Sequence, residues 1–163
     1  MKRFFIALVV VSTLCIGVTD AQQMQKGMSL FNVGLGLAPG VGVNVSYDYG
    51  LIDAWGPGIF TVGGYVGYQN YKTWTDNLDY RANALFFTPR ATYRYAINKS
   101  FEVFGTAMLG AVFYSYSKYK DGRSDVRFST TAGCRYSFTP DISVFAEVGY
   151  NIAYLNGGLS FSF

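Results

Sequence analysis

Seven ionisable side chains could do chemistry together if a fold collected them: the carboxylates Asp48, Glu102 and Glu147, and the guanidinium groups of Arg90, Arg94, Arg127 and Arg135. Acids and bases gathered in one confined space make a gated pore, a proton path, or a set of ion pairs that holds the interior together. A Ser–His nucleophile pair is impossible, because the sequence contains no histidine. Metal sites of the usual His and Cys type are excluded as well, since there are only two cysteines, Cys15 and Cys134. The glycines of GLGLAPGVG (34–42) and GPGIFTVGGYVG (56–67) lack the GxxxxGK[ST] pattern of a phosphate loop, and strand packing accounts for them better. No catalytic residue and no cofactor is expected. A second group lies in two polar stretches: Trp74 in YKTWTDNLD (71–79), and Lys118, Tyr119, Lys120 and Arg123 in SYSKYKDGRSD (115–125). These could contact phosphates or a partner surface; polar surface loops are also often no more than solvated connections.

The elements that would position these residues are strands. Eight segments alternate with period two, at roughly 29–38, 41–51, 58–72, 80–96, 100–116, 125–138, 141–150 and 154–163. In the second, Val41, Val43, Val45, Tyr47, Tyr49 and Leu51 alternate with Gly42, Asn44, Ser46, Asp48 and Gly50. The sixth sets Val126, Phe128, Thr130, Ala132 and Cys134 against Arg127, Ser129, Thr131, Gly133 and Arg135. One face is bulky and apolar, and the other is small and polar with few charges. A soluble barrel would put the apolar face inside and many Lys and Glu outside. Small polar residues suit a confined interior and bulky apolar ones an exterior solvated by lipid, in strands of ~9–11 residues. All seven charges fall on the small polar parity, and Cys134 falls on the apolar one.

The first residues fit export. Lys2 and Arg3 precede an uncharged run from Phe4 to Val18, and small residues at 19 and 21 suit cleavage after Ala21. The run is short of the ~20 residues of a spanning helix. Residues 1–21 are therefore expected to be a cleaved signal peptide, 22–28 (QQMQKGM) a short disordered lead, and 29–163 one β-domain. A formal net charge of +3 is too mild to point to nucleic acid. With Cys134 alone after the leader, no disulfide within the domain is possible.

Aromatic residues mark one end of the strands. If strand one starts at that end, even-numbered strands finish there, and they carry Tyr47/Tyr49, Tyr93/Tyr95, Tyr136/Phe138 and Phe161/Phe163, all on the apolar parity. Four pairs in phase read as an interfacial girdle. Asn98-Lys99 and Thr139-Pro140-Asp141 read as tight turns at the same end. Pro89, inside strand four, has no N–H for the ladder and predicts a bulge or shift near Phe86–Pro89.

On these features the chain resembles the small outer-membrane β-barrels of the OmpX and OmpA type, over residues ~29–163. The resemblance implies an all-β fold, an eight-stranded antiparallel transmembrane barrel with up-and-down meander topology, exported to the outer membrane of a Gram-negative bacterium. In that family a terminal aromatic with alternating apolar residues before it is the signal for the outer-membrane assembly machinery, and Leu159, Phe161 and Phe163 match it. Outer-membrane lipid and lipopolysaccharide, and an extracellular or envelope protein, are the remaining implied partners. Eight strands leave an interior just wide enough for side chains to fill, so the charges are expected to plug the lumen as ion pairs. A non-enzymatic structural or surface-interaction role follows. The rivals are a narrow channel for ions or small solutes, a lipid-modifying enzyme disfavoured by the missing histidine, and a soluble ligand-binding barrel.

Overall fold

The computed structural model describes residues 23–37, 40–75, 78–116, 119–150 and 154–163, with backbone alone for the stretches between 71 and 82 and between 116 and 123. The expected leader, residues 1–21, and Lys118 lie outside the described residues. Eight strands, β1 (Ser29–Leu37), β2 (Val41–Asp53), β3 (Gly58–Thr75), β4 (Leu78–Ala96), β5 (Phe101–Tyr116), β6 (Tyr119–Ser137), β7 (Ile142–Tyr150) and β8 (Leu155–Ser162), pair in sequence order and close on themselves. Every pairing is antiparallel, so this is an up-and-down barrel with the start of β1 and the end of β8 at one rim. Phe163 ties that rim: its N–H donates to Ser29 O at 3.0 Å, and Ser29 N–H donates to Phe163 O at 2.8 Å.

The period-two pattern decides which way each side chain points, and the outside is the apolar side. Leu35, Val43, Leu109, Phe128 and Val148 are exposed, whereas Ser46, Asp48, Thr61, Thr92, Ser129 and Ser160 are buried. At the rim that holds the termini (the terminal end), short turns connect the strands. In one of them Asn98 Oδ1 accepts from the N–H groups of Ser100 and Phe101, both at 2.9 Å.

Three expectations are corrected. The stretches 71–79 and 115–125 are not open loops: Thr75 pairs with Leu78 and Tyr116 with Tyr119, so the ladders run almost to the tips of their hairpins. Alternating Thr, Trp and Tyr carry strand propensity into sequence that composition alone reads as loop. Pro89 makes no register shift. Phe87↔Ala111 and Arg90↔Met108 lie in one register, and the β4–β5 ladder merely omits the pairs at Thr88 and Pro89, on the side where proline has no N–H to give. The lead is not disordered, since Met24 is buried against Leu30 and Ile59 with Met28 packed beside them. Isolated methionines in a polar stretch hid this apolar contact.

Strand-to-strand approach depends on glycines on the inner parity. A Cβ at Gly63 would run into the backbone of Tyr47 and Asp48, while one at neighbouring Gly64, on the outer parity, meets open space. Gly63→Ala should therefore lose about 1–3 kcal/mol through overpacking, and Gly64→Ala should stay within about 0.5 kcal/mol of the parent. Urea unfolding midpoints of the refolded variants check this; equal midpoints would contradict the close approach at Gly63, and a larger loss at Gly64 would mean the inner and outer faces had been exchanged.

Candidate functional site

Two ladder rows assemble the charges. Asp48 on β2 pairs with Gly63 on β3, and Gly63 pairs in turn with Arg90 on β4. A glycine in the middle leaves room for Arg90 to reach over β3, and its Nε sits 3.1 Å from Asp48 Oδ1. Arg94, four residues further along the same face, donates from Nη2 to Asp48 Oδ2 at 2.8 Å and from Nη1 to Glu102 Oε1 at 2.8 Å. Glu102 and Arg135 are direct ladder partners across β5 and β6. Arg135 donates from Nη2 to Glu102 Oε2 at 2.9 Å, and its Nε lies 2.8 Å from Oε1. The chain of ion pairs thus runs Arg90–Asp48–Arg94–Glu102–Arg135 across the lumen.

Neutral groups complete the shell. Arg90 Nη1 donates to Ser46 Oγ at 2.8 Å, and Arg135 Nη1 to Ser162 Oγ at 3.3 Å. Asn32 donates to Ser46 Oγ at 2.9 Å and accepts from Ser160 Oγ at 2.5 Å. The Arg94 guanidinium lies over the Phe104 ring, 4.9 Å from its centroid. All five charged residues are buried, Asp48 completely.

The other two expected members stand apart. Glu147 is buried, but among the described residues no Lys or Arg pairs with it. Its Oε1 accepts from Asn156 Nδ2 at 2.7 Å and its Oε2 from Thr131 Oγ1 at 3.2 Å. Asn156 also donates to Asn44 Oδ1, 3.3 Å away across β1, where Gly34 keeps the path clear. A cavity of about 10 Å³ bordered by Arg90, Arg94, Phe104, Phe145 and Glu147 separates this carboxylate from the guanidinium groups. That is room for about one water. Arg127 keeps the inward parity but lies toward the far end of β6, with 37% of its side chain exposed, 3.7 Å from Asp125 and over the Tyr114 ring. Parity places a residue inside or outside; the slant of the strands decides its height, and height removes Glu147 and Arg127 from the ion-pair layer. The buried set still balances, with Asp48, Glu102 and Glu147 against Arg90, Arg94 and Arg135.

Above the charged layer the lumen turns apolar. Tyr65, Ala84, Phe86, Met108, Val112 and Tyr114 form one buried cluster on the inner parity. Small polar composition on that face elsewhere concealed it; Phe104, Met108, Val112 and Tyr114, all on one parity of β5, were the available signal. Below the charges, Met24, Leu30 and Ile59 close the floor.

Outside, Tyr47, Tyr49, Tyr95 and Phe138 are exposed around the terminal end, with Tyr93 and Tyr136 half-buried beside them. Phe60 packs against Tyr93 at 5.0 Å between centroids, and Tyr136 against Phe138 at 5.1 Å. Trp55, unassigned from sequence, projects from the turn after β2 with 91% exposure. Leu159 and Phe161 on β8, and Phe163 just beyond its end, are all exposed on the outside. The side chains of Trp74, Tyr119, Lys120 and Arg123 lie outside the described residues, as does Lys118 altogether.

No protein-family model matches the chain, and no curated protein does. Solved structures match its fold. A de novo designed transmembrane β-barrel superposes with TM-score 0.58 at 16% identity, covering 87% of this chain and 100% of that one. The N-terminal β-barrel domain of Pseudomonas aeruginosa OprF gives 0.57 at 15% identity, covering 86% and 100%. Ail, the attachment invasion locus protein of Yersinia pestis, solved with the heparin analogue sucrose octasulfate, gives 0.55 at 16% identity, covering 85% and 100%. The fold is that of the small eight-stranded outer-membrane barrels of the OmpX and OmpA type.

Glu102 anchors two guanidiniums, whereas Glu147 anchors only neutral groups. Glu102→Gln should cost about 3–5 kcal/mol, the range for stranding a buried partner. Glu147→Gln should cost about 1–3 kcal/mol, the range for a broken hydrogen bond. Combining Glu102→Gln with Arg135→Met should be less damaging than the two separate losses summed. Equal losses for Glu102→Gln and Glu147→Gln in urea would contradict this division.

Proposed function

We propose that this chain is a non-enzymatic integral protein of a Gram-negative outer membrane, closed to solutes, that acts structurally and through its far-end surface. The observation that carries the closed reading is the filled lumen: an ion-pair layer lies between the apolar cluster around Phe86 and the floor at Leu30. Ions crossing it would have to break Asp48–Arg94 and Arg94–Glu102, both at 2.8 Å, and then pass an uncharged zone. The fold and the apolar exterior support a membrane location, and the aromatic ring would sit at the periplasmic interface. The far end would then face outward, carrying Trp74, Lys118, Tyr119, Lys120 and Arg123 into the lipopolysaccharide layer. Their cations and aromatics suit phosphorylated or sulfated sugars, and Ail, solved with a sulfated sugar, offers a parallel among barrels of this fold.

The purified, refolded protein tests both parts. In planar bilayers it should give no steady open-channel current; stable conductance would promote the channel reading. In vesicles containing lipopolysaccharide its thermal midpoint should rise, and a variant with Lys118, Lys120 and Arg123 all changed to Ser should lose that rise. Lipid A left unchanged after overexpression, by mass spectrometry, would support the absence of lipid-modifying activity.

Leu159, Phe161 and Phe163 are proposed as the contact for the assembly machinery, supported by their outward placement on the closing strand. Deleting Phe163 should leave precursor in the periplasm and lower the outer-membrane pool. Wild-type levels with normal heat-modifiable gel migration would reject that role.

A further inference from the structure

Residues 23–28 are held by more than proximity. Gly27 N–H donates to Gly50 O and Gly50 N–H donates to Met28 O, both at 2.9 Å, so the segment makes a reciprocal bridge to β2. Met28 N–H donates to Gln25 O at 3.1 Å, closing a four-residue turn whose third residue, Gly27, has φ of 86°. That is the position where such a turn calls for glycine. Gly50 is fitted to the same contact: a Cβ there would run into the carbonyl of Gln25. The β2–β3 register shifts just beyond it, between Gly50 and Ile52. The turn delivers Met24, 7% exposed, onto Leu30 of β1 and Ile59 of β3.

We infer that residues 23–28 are a strap that seals the terminal end of the lumen against water. Leu30 is the ladder partner of both Asp48 and Ser162, so the surface that Met24 covers is one step from the charged layer. Ser162 in turn accepts from Arg135 Nη1. With the strap in place, Leu30, Asp48 and Ser162 are all buried. Lifting it uncovers the Leu30–Ile59 floor and lets water reach the ion pairs, while the Tyr65–Phe86–Tyr114 cluster still closes the other side. The strap is therefore a one-sided seal: its release wets half of the lumen without opening a channel. This rests on the closed-lumen reading, and the test separates the two.

The experiment uses the full chain refolded in vesicles, with Cys15→Ser and Cys134→Ser removing the native thiols and Ser162→Cys providing a single one just above the floor. A charged, membrane-impermeant maleimide added at the terminal side should label it slowly. Met24→Asp, or deletion of 23–28, should raise the labelling rate roughly tenfold or more, the scale set by losing the burial of one large apolar side chain. Gly27→Ala, which strains the turn without touching the barrel wall, should give a smaller rise and stands in if the stronger variants do not refold. A thiol introduced by Ser129→Cys, higher in the lumen, should stay protected throughout. Equal rates at position 162 in folded strap variants and parent would overturn the seal. Rapid labelling at position 129 in the parent would instead overturn the closed lumen and leave no basis for a one-sided seal.

Discussion

A charged group inside an eight-stranded barrel must be met by partners reaching from the facing wall, and for five of the six buried here the partner is another charge. The lumen is about one layer of side chains across, so no hydration shell fits between a guanidinium and the opposite wall. Asp48 and Glu102 meet this by each accepting from two arginines, with Arg94 shared between them. The arrangement in turn dictates what lies between the partners. Arg90 reaches Asp48 because Gly63 occupies the intervening position, and Asn44 reaches Asn156 because Gly34 does. The small residues of the inner face are thus the clearance that lets long polar ones cross a strand.

Buried ion pairs are poor evidence of stability, because desolvation offsets much of their attraction. Their stronger consequence here is register. A one-residue slip of β4 would turn Arg90 and Arg94 outward and bring their neighbours in, stranding Asp48 and leaving Glu102 with Arg135 alone. An apolar lumen would tolerate such a slip far better. The charged layer sits where strands from both halves of the chain meet, β2 and β4 with β5 and β6, so one network fixes several registers together. Apolar layers above and below exclude water, which strengthens each pair and raises the cost of leaving any member alone.

The inward or outward sense of β2, β6, β7 and β8 was legible in the sequence, because alternation has only two phases and bulk apolar residues marked one. Height was not legible, since it depends on strand slant and pairing. That is why Glu147 and Arg127 share the parity of Arg135 yet lie outside its layer. The Glu102–Arg135 pair required the register of β5 on β6, and the Arg90–Asp48 pair required two registers at once. Sparse signals were lost as well. Met24 and Met28 looked incidental among Gln and Lys, because a six-residue strap has too few positions to show a period. The apolar cluster at Phe86 and Tyr114 was masked for the opposite reason: bulky residues on both faces of β4 and β5 blur the contrast on which alternation depends.

A designed barrel and natural ones share this fold alike. The similarity therefore follows from the geometry of eight closed strands and carries no function with it. What distinguishes one such barrel from another has to lie where that geometry leaves freedom, at the two ends and in the filling. Here the filling is committed to neutrality and the terminal end to closure by Met24. The hairpins that extend β3 into β4 and β5 into β6 carry most of the remaining polar and aromatic residues, beyond the span that closure requires. Their pairing at Thr75↔Leu78 and Tyr116↔Tyr119 makes them extensions of the wall. On the proposed reading, a surface built on such paired extensions would lose less entropy on contact than one built on open loops.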